Sequence, residues 1–302
     1  MADGAAGWGV YGEERAMPVM VEGREIRRRE GAAGGEFGLE MLLRQLQQEL
    51  GLNFKQYKPN YLKRRIGVRM RATGRSDYLE YCQLLRQDPD EARRLINDLT
   101  INVTEFFRDQ DVFEALRSHI IPEIMQHKRE RHMYSLRAWS AGCATGEEPY
   151  SLSILFLEEI GKAEREEPWT VRITASDLDD KALMKAKLGI YEEIRLLPGI
   201  RAEDHFLPLA SGYMVREEVK RPVRFLLLDL VKPPPLRQLD LILCRNVLIY
   251  FEKEKQAAIL EIFRRCLRPG GFLVLGKSEA IVRTDDSGFA PYRRRERVYV
   301  RR

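Results

Sequence analysis

The second half of the chain alternates continuous apolar segments with helical ones, and this alternation constrains the fold most strongly. Apolar runs of strand length, separated by helical patterns, fall at 135–140, 171–177, 223–230, 239–246 and 272–276, and 297–302 reads as a last strand. Strands that are apolar throughout are buried on both faces, and intervening helices make neighbouring strands parallel. The sequence therefore predicts an α/β fold in which ligands bind beyond the carboxyl ends of the strands.

The first third of the chain reads as a small all-helical domain. Leucines repeat at helical spacing up to Gly51, which is expected to end the first helix: Leu39, Leu42, Leu43, Leu46 and Leu50. Further helices are predicted at 59–72, 78–86 and 89–99. We predict a flexible arm at 1–36, a helical domain at 37–125 and an α/β domain at 126–302.

The composition indicates a reduced, cytoplasmic protein. No apolar run approaches the roughly 20 residues that span a bilayer, and the first residues contain no apolar signal segment. The 4 cysteines form no C-x-x-C pair, so their spacing indicates neither a zinc site nor a disulfide framework. We expect no metal and no membrane insertion, with a monomer as the default.

The predicted helix 59–72 is strongly basic. It lies in a stretch of 27 residues that contains eight lysines and arginines and no acidic residue. Helical periodicity places Arg64, Arg71 and Arg75 on the side opposite the apolar stripe. Arg65 and Arg69 flank the stripe. Such a field attracts an acidic surface, and a solvated helix face is the alternative. The complete absence of acidic residues favours a docking function.

The first predicted strand runs into a glycine-containing loop, S-A-G-C-A-T-G-E-E-P-Y, at 140–150. Gly142 and Gly146 allow the backbone to approach a ligand closely and to adopt positive φ. The loop departs from the glycine patterns that bind diphosphates, and it carries two carboxylates. A ligand with ammonium or sulfonium charge and no phosphate fits it better. A tight strand-to-helix turn with a capping glutamate is the alternative.

Polar residues also follow the next three strands. Asp177 could accept hydrogen bonds from ribose hydroxyls or cap the next helix. Asp229 and Leu230 could frame an adenine, with a turn aspartate as the alternative. Arg245, Asn246 and Tyr250 follow the fourth strand, where three polar groups at the ligand edge favour a binding role.

One further constellation, Asn102 to Arg108, lies outside the sheet. Thr104 is expected to cap a helix with the apolar face Phe106, Phe113, Leu116 and Ile120. By spacing alone, we interpret it as a cap followed by a core helix.

Four motifs together resemble the CheR-type chemotaxis receptor methyltransferase family. They are N-V-T-E-F-F-R-D at 102–109, A-G-C-A-T-G-E-E-P-Y-S at 141–151, A-S-D-L-D at 175–179 and L-D-L-I-L-C-R-N-V-L-I-Y-F at 239–251. The resemblance covers about 37–302 in the family's order and includes the ending R-P-G-G-F-L-V-L-G-K-S-E. The combination is specific, although each piece alone is not.

The resemblance implies S-adenosylmethionine as methyl donor, S-adenosylhomocysteine as product and receptor glutamates as acceptors. It implies a Rossmann-like class I methyltransferase sheet, an N-terminal all-helical domain and a small antiparallel β insertion at about 197–222. The family's cofactor positions fall on Asn102, Thr104, Arg108, Glu148, Asp177, Asp229, Leu230, Arg245 and Asn246, and Gly142 of the glycine loop is added to this set. Tyr250 matches the tyrosine near the methyl group, and Arg65 and Arg71 match basic residues that face the receptor.

A glutamate carboxylate is ionised at neutral pH, because its pKa is about 4.3. Direct in-line transfer to it then needs orientation rather than a base, and we assign the catalytic role of orienting to Arg108 and Tyr250. The short β insertion argues against binding of a receptor's C-terminal peptide tether. Two alternatives remain: a non-catalytic module that senses S-adenosylmethionine or docks on receptors, and a nucleic-acid methyltransferase. C-R-N-V at the fourth strand end, in place of N-P-P-Y or N-P-P-F, argues against the latter, and we expect no nucleic-acid partner.

Overall fold

The computed structural model describes residues 35–48, 54–100, 102–163, 167–281 and 287–302. Most of the predicted flexible arm therefore lies outside the described residues, although residues 35 and 36 begin the first helix. The predicted helix end at Gly51 also lies outside them. None of the helices in these ranges combines the length and the apolar character needed to cross a bilayer.

The N-terminal part is helical, as predicted. Its helices are α1 (35–48), α2 (Pro59–Ala72), α3 (Tyr78–Gln87) and α4 (Pro89–Leu99), and a 3-10 turn (Phe54–Gln56) precedes α2. Asp77 and Asp88 accept hydrogen bonds from the first backbone N–H groups of α3 and α4, which these helices cannot satisfy internally. The apolar stripes form one cluster, in which Leu42, Ile66 and Leu95 are fully buried.

The strands of the described ranges, in chain order, are β1 (Ser135–Ala141), β2 (Thr170–Asp177), β3 (Ile190–Tyr191), β4 (Phe206–Leu209), β5 (Gly212–Val215), β6 (Val223–Leu227), β7 (Leu239–Cys244), β8 (Leu267–Leu275), β9 (Phe289–Arg293) and β10 (Val298–Arg301). The main sheet has the order β6-β2-β1-β7-β8-β10-β9. The five strands β6, β2, β1, β7 and β8 are parallel to one another, and β10 is antiparallel to both β8 and β9. The predicted α/β fold with a parallel core is confirmed, and the strand order reverses between β1 and β7.

Helices cover both faces of this sheet. They are α5 (Gln110–Ala115), α6 (Ile121–Arg129), α7 (Glu147–Gly161), α8 (Asp180–Leu188), α9 (Ala202–His205), α10 (Glu217–Lys220) and α11 (Lys253–Cys266). Phe113 of α5, Ile124 of α6 and Phe156 of α7 belong to the core on one face. Phe263 of α11 packs with Trp139 on the other. Every residue of β7 is buried, which explains its uninterrupted apolar sequence.

Thr104 does not cap a helix, so that prediction is wrong. Helix α5 begins only at Gln110, after Asp109, whose backbone is left-handed at φ 58°. The apolar residues predicted for this helix are nevertheless buried: Phe106, Phe113, Leu116 and Ile120. The segment before Gln110 is therefore free to run across the end of the sheet.

A second, antiparallel sheet of order β3-β5-β4 confirms the predicted small β insertion. Two of its strands fall within the predicted range 197–222, whereas β3 precedes that range and comes directly after α8. The helix stops at Gly189, which adopts the left-handed φ of 64° that terminates helices. Gly212 adopts φ 107°, and a Cβ there would lie 2.2 Å from the Tyr191 carbonyl oxygen, so only glycine fits this turn.

Candidate functional site

A cavity lies at the carboxyl ends of β1, β2, β6 and β7, where the strand order reverses. Residues from the N-terminal helical domain form part of its wall: Tyr57, Leu99 and Thr100. All residues predicted to bind cofactor or to catalyse line this one cavity: Asn102, Thr104, Arg108, Gly142, Glu148, Asp177, Asp229, Leu230, Arg245, Asn246 and Tyr250. The edge predicted from topology is therefore where the structure brings these residues together.

The glycine loop is held against the end of β2. The backbone N–H groups of Gly142 and Cys143 both donate to the Ser176 carbonyl oxygen, at 2.7 and 2.9 Å. Gly142 adopts φ 81°, and a Cβ there would lie 2.4 Å from a methyl carbon of Val247. Glycine is thus required at this position by its backbone angle and by close packing between two strand ends.

Asp177 is a partly buried carboxylate that is fixed from two sides. Its Oδ2 accepts from the Ala144 N–H at 2.8 Å, and its Oδ1 accepts from the Asp179 N–H at 3.0 Å. Burial raises the pKa of Asp177 above its ordinary value, against the opposing effect of these hydrogen bonds. Asp179, and not Asp177, caps α8 by accepting from Lys181 and Ala182. Each Asp177 oxygen keeps a lone pair for a ligand hydroxyl.

Glu148 places a second carboxylate in the same cavity. Its Oε1 accepts from the Ser140 hydroxyl at 2.7 Å, and its Oε2 lies 3.4 Å from Nη1 of Arg245. Burial raises the pKa of Glu148, and the Arg245 charge only partly offsets that rise. A positively charged ligand group would neutralise this carboxylate better than the protein alone does.

Arg245 braces the wall of the cavity. Its Nη2 donates to the Asp109 carboxylate and, at 2.7 Å, to the Arg108 carbonyl oxygen. Its guanidinium also lies 5.3 Å from the centre of the Phe113 ring. These contacts fix the segment before α5 to the end of β7. Arg245 lines the cavity as predicted, although its strongest contacts are with the protein itself.

The segment between the helical domain and α5 crosses the cavity and is attached at both ends. The side chains of Thr100 and Asn102 donate to Oδ2 of Asp179, at 3.0 and 2.7 Å. Further along, Nη1 of Arg108 donates to the Val103 carbonyl oxygen at 2.7 Å. Sequence reasoning missed the role of Asp179, and the repeated acids of D-L-D-D were the available signal.

Asp229 joins the two domains at the adenine edge predicted from the sequence. Its Oδ1 accepts from the Val231 N–H at 3.2 Å, as a turn aspartate does, and from the Gln56 side chain at 3.3 Å. The alternative of a turn aspartate is therefore present in the structure. Asp229 and the largely buried Leu230 still line the cavity.

The loop that follows β7 carries Tyr250 and contacts the helical domain. The Lys58 N–H donates to the Tyr250 carbonyl oxygen at 2.9 Å, and Tyr57 forms an isolated β-bridge with Phe251. The rings of Tyr61 and Tyr250 have centroids 4.9 Å apart. Tyr250 therefore lies at the junction of the two domains, at one end of the cavity.

Glu279 organises the same loop, and sequence reasoning did not find it. Its two oxygens accept from the backbone N–H groups of Asn246 at 3.0 Å, Gly276 at 2.7 Å, Val247 at 2.9 Å and Ile249 at 3.2 Å. Asn246 adopts φ 61°, and its buried Oδ1 has no hydrogen-bond partner within the described ranges. A ligand N–H group can satisfy that oxygen. The signal for Glu279 was an acidic residue four positions after the end of the apolar strand β8.

The arginines of α2 differ in their surroundings. Arg64 and Arg71 of α2, and Arg75 just after its end, are exposed and form no ion pair with any residue that the structure describes. Arg65 is half-buried. Arg69 instead forms a two-pronged ion pair with the buried Glu91, at 2.9 and 2.5 Å, so its side chain points into the helical domain.

The hydrogen-bond acceptors that line the cavity indicate the chemistry of its ligand. The cavity offers two partly buried carboxylates, Asp177 and Glu148, and the unpaired oxygen of Asn246. These acceptors suit a nucleoside with free hydroxyls and a cationic group, and they do not suit a phosphate. In the part of the chain that the structure describes, no three histidine, cysteine, aspartate or glutamate side chains are arranged to hold a metal ion.

Comparisons with known proteins identify the family of the chain. The chain matches the domain family "CheR methyltransferase, SAM binding domain" over residues 102–295 and "CheR methyltransferase, all-alpha domain" over 38–100. It is 37% identical to a chemotaxis protein methyltransferase of Klebsiella aerogenes, with 77% of this chain and 79% of that protein covered.

A chemotaxis protein methyltransferase of Listeria monocytogenes is 32% identical, with 82% of this chain and 91% of that protein covered. An uncharacterised 104.1 kDa protein of Rhodobacter capsulatus is 36% identical, and the match covers 82% of this chain but 26% of that protein. The chain therefore belongs to the CheR methyltransferase family, and S-adenosylmethionine is its cofactor.

Proposed function

We propose that this protein transfers a methyl group from S-adenosylmethionine to glutamate side chains of chemoreceptors, which become methyl esters. One observation carries the proposal. Ile249 and Tyr250 line both the cavity and a neighbouring surface groove, whose other lining residues include Lys58, Tyr61 and Arg64. An acidic side chain that approaches along the basic helix α2 would therefore reach the cavity at Tyr250.

We assign each hydrogen-bond acceptor of the cavity to a part of S-adenosylmethionine. Asp177 would bind the ribose hydroxyls, and Glu148 the cationic amino-acid end. The unpaired Oδ1 of Asn246 would accept a ligand N–H group. When bound, S-adenosylmethionine supplies a methyl group activated by a neighbouring sulfonium charge.

The acceptor requires little acid–base help. A glutamate with its ordinary pKa of about 4.3 is ionised at neutral pH and is already a nucleophile. The protein's contribution is to hold the carboxylate in line, and such orientation is worth several kcal/mol. The negative charge on the carboxylate falls as the ester forms, so the cations around it must steer without binding it too tightly.

The surroundings of Tyr250 match this requirement. Burial raises the pKa of its phenol, so the hydroxyl stays neutral and can donate a hydrogen bond to a carboxylate; the charges of Arg108, Arg65 and Arg64 act in the opposite direction. Nη1 of Arg108 is occupied by the Val103 carbonyl oxygen, which holds its guanidinium at the rim of the cavity. We therefore assign Arg108 and Tyr250 to orienting the acceptor.

The proposed partner is the cytoplasmic helical domain of a methyl-accepting chemoreceptor, and the proposed site of action is the cytoplasm. The exposed arginines of α2 favour a glutamate-rich helical surface. A nucleic acid is less suited, because the aromatic rings near these arginines are packed rather than free to stack on bases. Tyr57 and Tyr61 contact Phe251 and Tyr250. We propose a monomer that does not require a receptor's C-terminal tether.

Transfer of label from donor to acceptor tests the proposal. The protein is incubated with methyl-labelled S-adenosylmethionine and either receptor-containing membranes or RNA. We expect label on the receptor that is released as methanol by mild base, as esters are, and none on RNA. Label on RNA, or base-stable label on the receptor, would contradict the proposal. Binding of donor without any transfer would support the alternative of a sensing module.

A further inference from the structure

A second basic cluster lies in the turn between β9 and β10. Residues 293–297 read R-R-R-E-R. Arg294 and Arg295 are exposed, and their side chains make no hydrogen bond or ion pair with the residues that the structure describes. Arg293 instead lies 3.5 Å from Glu296, and Arg297 donates to the Lys277 carbonyl oxygen at 3.3 Å. Two adjacent cations are therefore left without a protein partner.

This turn lies at the same edge of the sheet as the cavity. Strand β10 runs antiparallel to β8, so the turn before it lies at the carboxyl end of β8, where the Leu275 N–H donates to the Arg297 carbonyl oxygen at 3.1 Å. In the order β7-β8-β10, two strand spacings separate β10 from β7, which is about 10 Å. The base of the turn, at Arg297, is thus about one helix diameter across the sheet from the strand end that carries Arg245.

The loop with Tyr250 lies between this turn and α2. On one side, Nζ of Lys58 donates to the Ile249 carbonyl oxygen at 2.7 Å, at the start of α2. On the other side, Glu279 accepts from the Ile249 N–H, and Lys277, two residues earlier, contacts Arg297. A continuous series of contacts therefore connects the basic helix, the Tyr250 loop and the basic turn.

We propose that Arg294 and Arg295 form a second docking site for the same acidic helical partner, on the far side of Tyr250 from α2. The inference rests on the proposed function. A partner bound at two points on either side of Tyr250 would be held in both position and direction, which one basic helix cannot do. A bundle of helices, each about 10 Å across, is wide enough to contact both clusters.

A double charge reversal, Arg294→Glu with Arg295→Glu, tests the proposal against a matched control. The control is Arg131→Glu, because Arg131 is also exposed but precedes β1 at the opposite edge of the sheet. The partner probe is the purified cytoplasmic domain of a chemoreceptor, with binding measured by surface plasmon resonance and methylation by label transfer. Melting temperatures and the Kd for S-adenosylhomocysteine are measured for each variant.

We expect the double variant to raise both the Kd and the KM for the receptor domain about fivefold to tenfold at low salt. The rate at saturating receptor, the melting temperature and the Kd for S-adenosylhomocysteine should stay at wild-type values. The effect should shrink as salt is added, because exposed charges are screened. The control variant should behave as the wild type.

If the double variant binds the receptor domain as tightly as the control variant does, the inference is overturned. Methylation by the wild type, and hence the proposed function, would be unaffected by that result. A loss of binding to anionic phospholipid vesicles with unchanged receptor binding would also overturn it, in favour of a membrane surface. If the wild type binds the receptor domain but transfers no methyl group, the proposed function fails and the binding comparison still decides the docking site. If the wild type does not bind, both are wrong.

Discussion

Glu148 is held in the cavity at an energetic disadvantage that a bound ligand can remove. Burial raises the pKa of its carboxyl, and the Arg245 charge offsets only part of that rise. The folded protein therefore keeps the proton over a pH range in which the unfolded chain has already lost it. Unfolding free energy must then fall as pH rises from the ordinary value of 4.5 through the raised folded value.

Glu148→Gln should separate ligand affinity from stability. The neutral amide can still pair with Ser140, and Arg245 keeps its contact with Asp109. We expect the unfolding free energy of the variant, relative to wild type, to improve as pH is raised above 4.5, measured by urea unfolding at pH 5 and pH 8 without ligand. Affinity for S-adenosylmethionine should fall about tenfold at pH 8, the loss expected for one charged hydrogen bond.

The exposed Glu130→Gln serves as the control for that variant and should change neither quantity. A Glu148→Gln protein whose stability relative to wild type is the same at both pH values would show that Glu148 is not destabilised by burial. Unchanged affinity for S-adenosylmethionine would show that the carboxylate does not contact the donor.

Glu279 should matter for the shape of the Tyr250 loop rather than for contact with ligand. Its carboxylate accepts four backbone N–H groups, and Gln offers only one acceptor oxygen in its place. We expect Glu279→Gln to reduce the unfolding free energy by about 1–3 kcal/mol, because buried N–H groups lose their partner. Methylation at saturating donor and receptor should fall as well.

The Glu279→Ala variant serves for comparison, and urea unfolding measures the stability of both variants. If Gln and Ala reduce stability and turnover equally, the charge and its four acceptor positions are the cause. A Gln variant with wild-type turnover would show that the loop keeps its shape without this carboxylate.

The residues that sequence reasoning found and those that it missed differ in one respect. Asp177 is the last residue of β2, and Glu148 lies in the first turn of α7, directly after the loop that follows β1, so topology alone predicts that they meet. Glu279 and Asp179 act on backbone or side-chain groups 30 to 79 residues away along the chain. Their partners are defined only by how the loops fold back, and no local spacing indicates them.

At the scale of elements, α2 combines a structural face with an exposed basic face, which we propose as the docking face. The guanidinium of Arg69 pairs with Glu91, whose side chain is only 1% exposed. Burial alone would raise the pKa of Glu91, but hydrogen bonds from Arg69, Arg94 and Tyr81 outweigh it and hold that pKa below its ordinary value. Arg71, two residues further on, is exposed and without an ion pair among the described residues.

Arg69→Ala should therefore affect stability, whereas Arg71→Ala should affect the KM for receptor. Arg69→Ala leaves a buried carboxylate short of a partner, so we expect a loss of about 3 kcal/mol in unfolding free energy, measured by urea titration. Arg71→Ala should leave stability within about 0.5 kcal/mol of wild type but raise the KM for receptor at low salt. Receptor methylation unaffected by Arg71→Ala at low salt would contradict docking on α2.

The elements most readily predicted are those whose burial shows in their sequence. Strand β7 is buried at every position and reads as an unbroken apolar run, so its prediction is confirmed. Strand β3 has only two residues, and no periodic pattern can form over so short a segment. The sequence also gave no cue for β9, in which four of the five residues are only partly buried or exposed.

At the scale of the whole molecule, the cavity belongs to both domains. Tyr57, Leu99 and Thr100 contribute to its wall from the helical side, and Gln56 bonds to Asp229 across the junction. A ligand in this cavity would contact the sheet and the helical domain at once. Ligand binding should therefore stabilise the two domains together rather than the sheet alone.

Hydrogen exchange with and without S-adenosylhomocysteine measures this coupling. At a concentration one hundred times its Kd, the ligand should raise the unfolding free energy by about 2.7 kcal/mol. Because Thr100 and Asn102 tie the connecting segment to Asp179, amides of α2 and α4 should gain protection along with those of β1 and β7. In the Asp179→Ala variant these hydrogen bonds are lost, so the ligand-induced gain in amide protection should become smaller in α4 and stay unchanged in β1. Protection confined to the sheet in the wild type would mean that the helical domain only adjoins the cavity and does not share in binding.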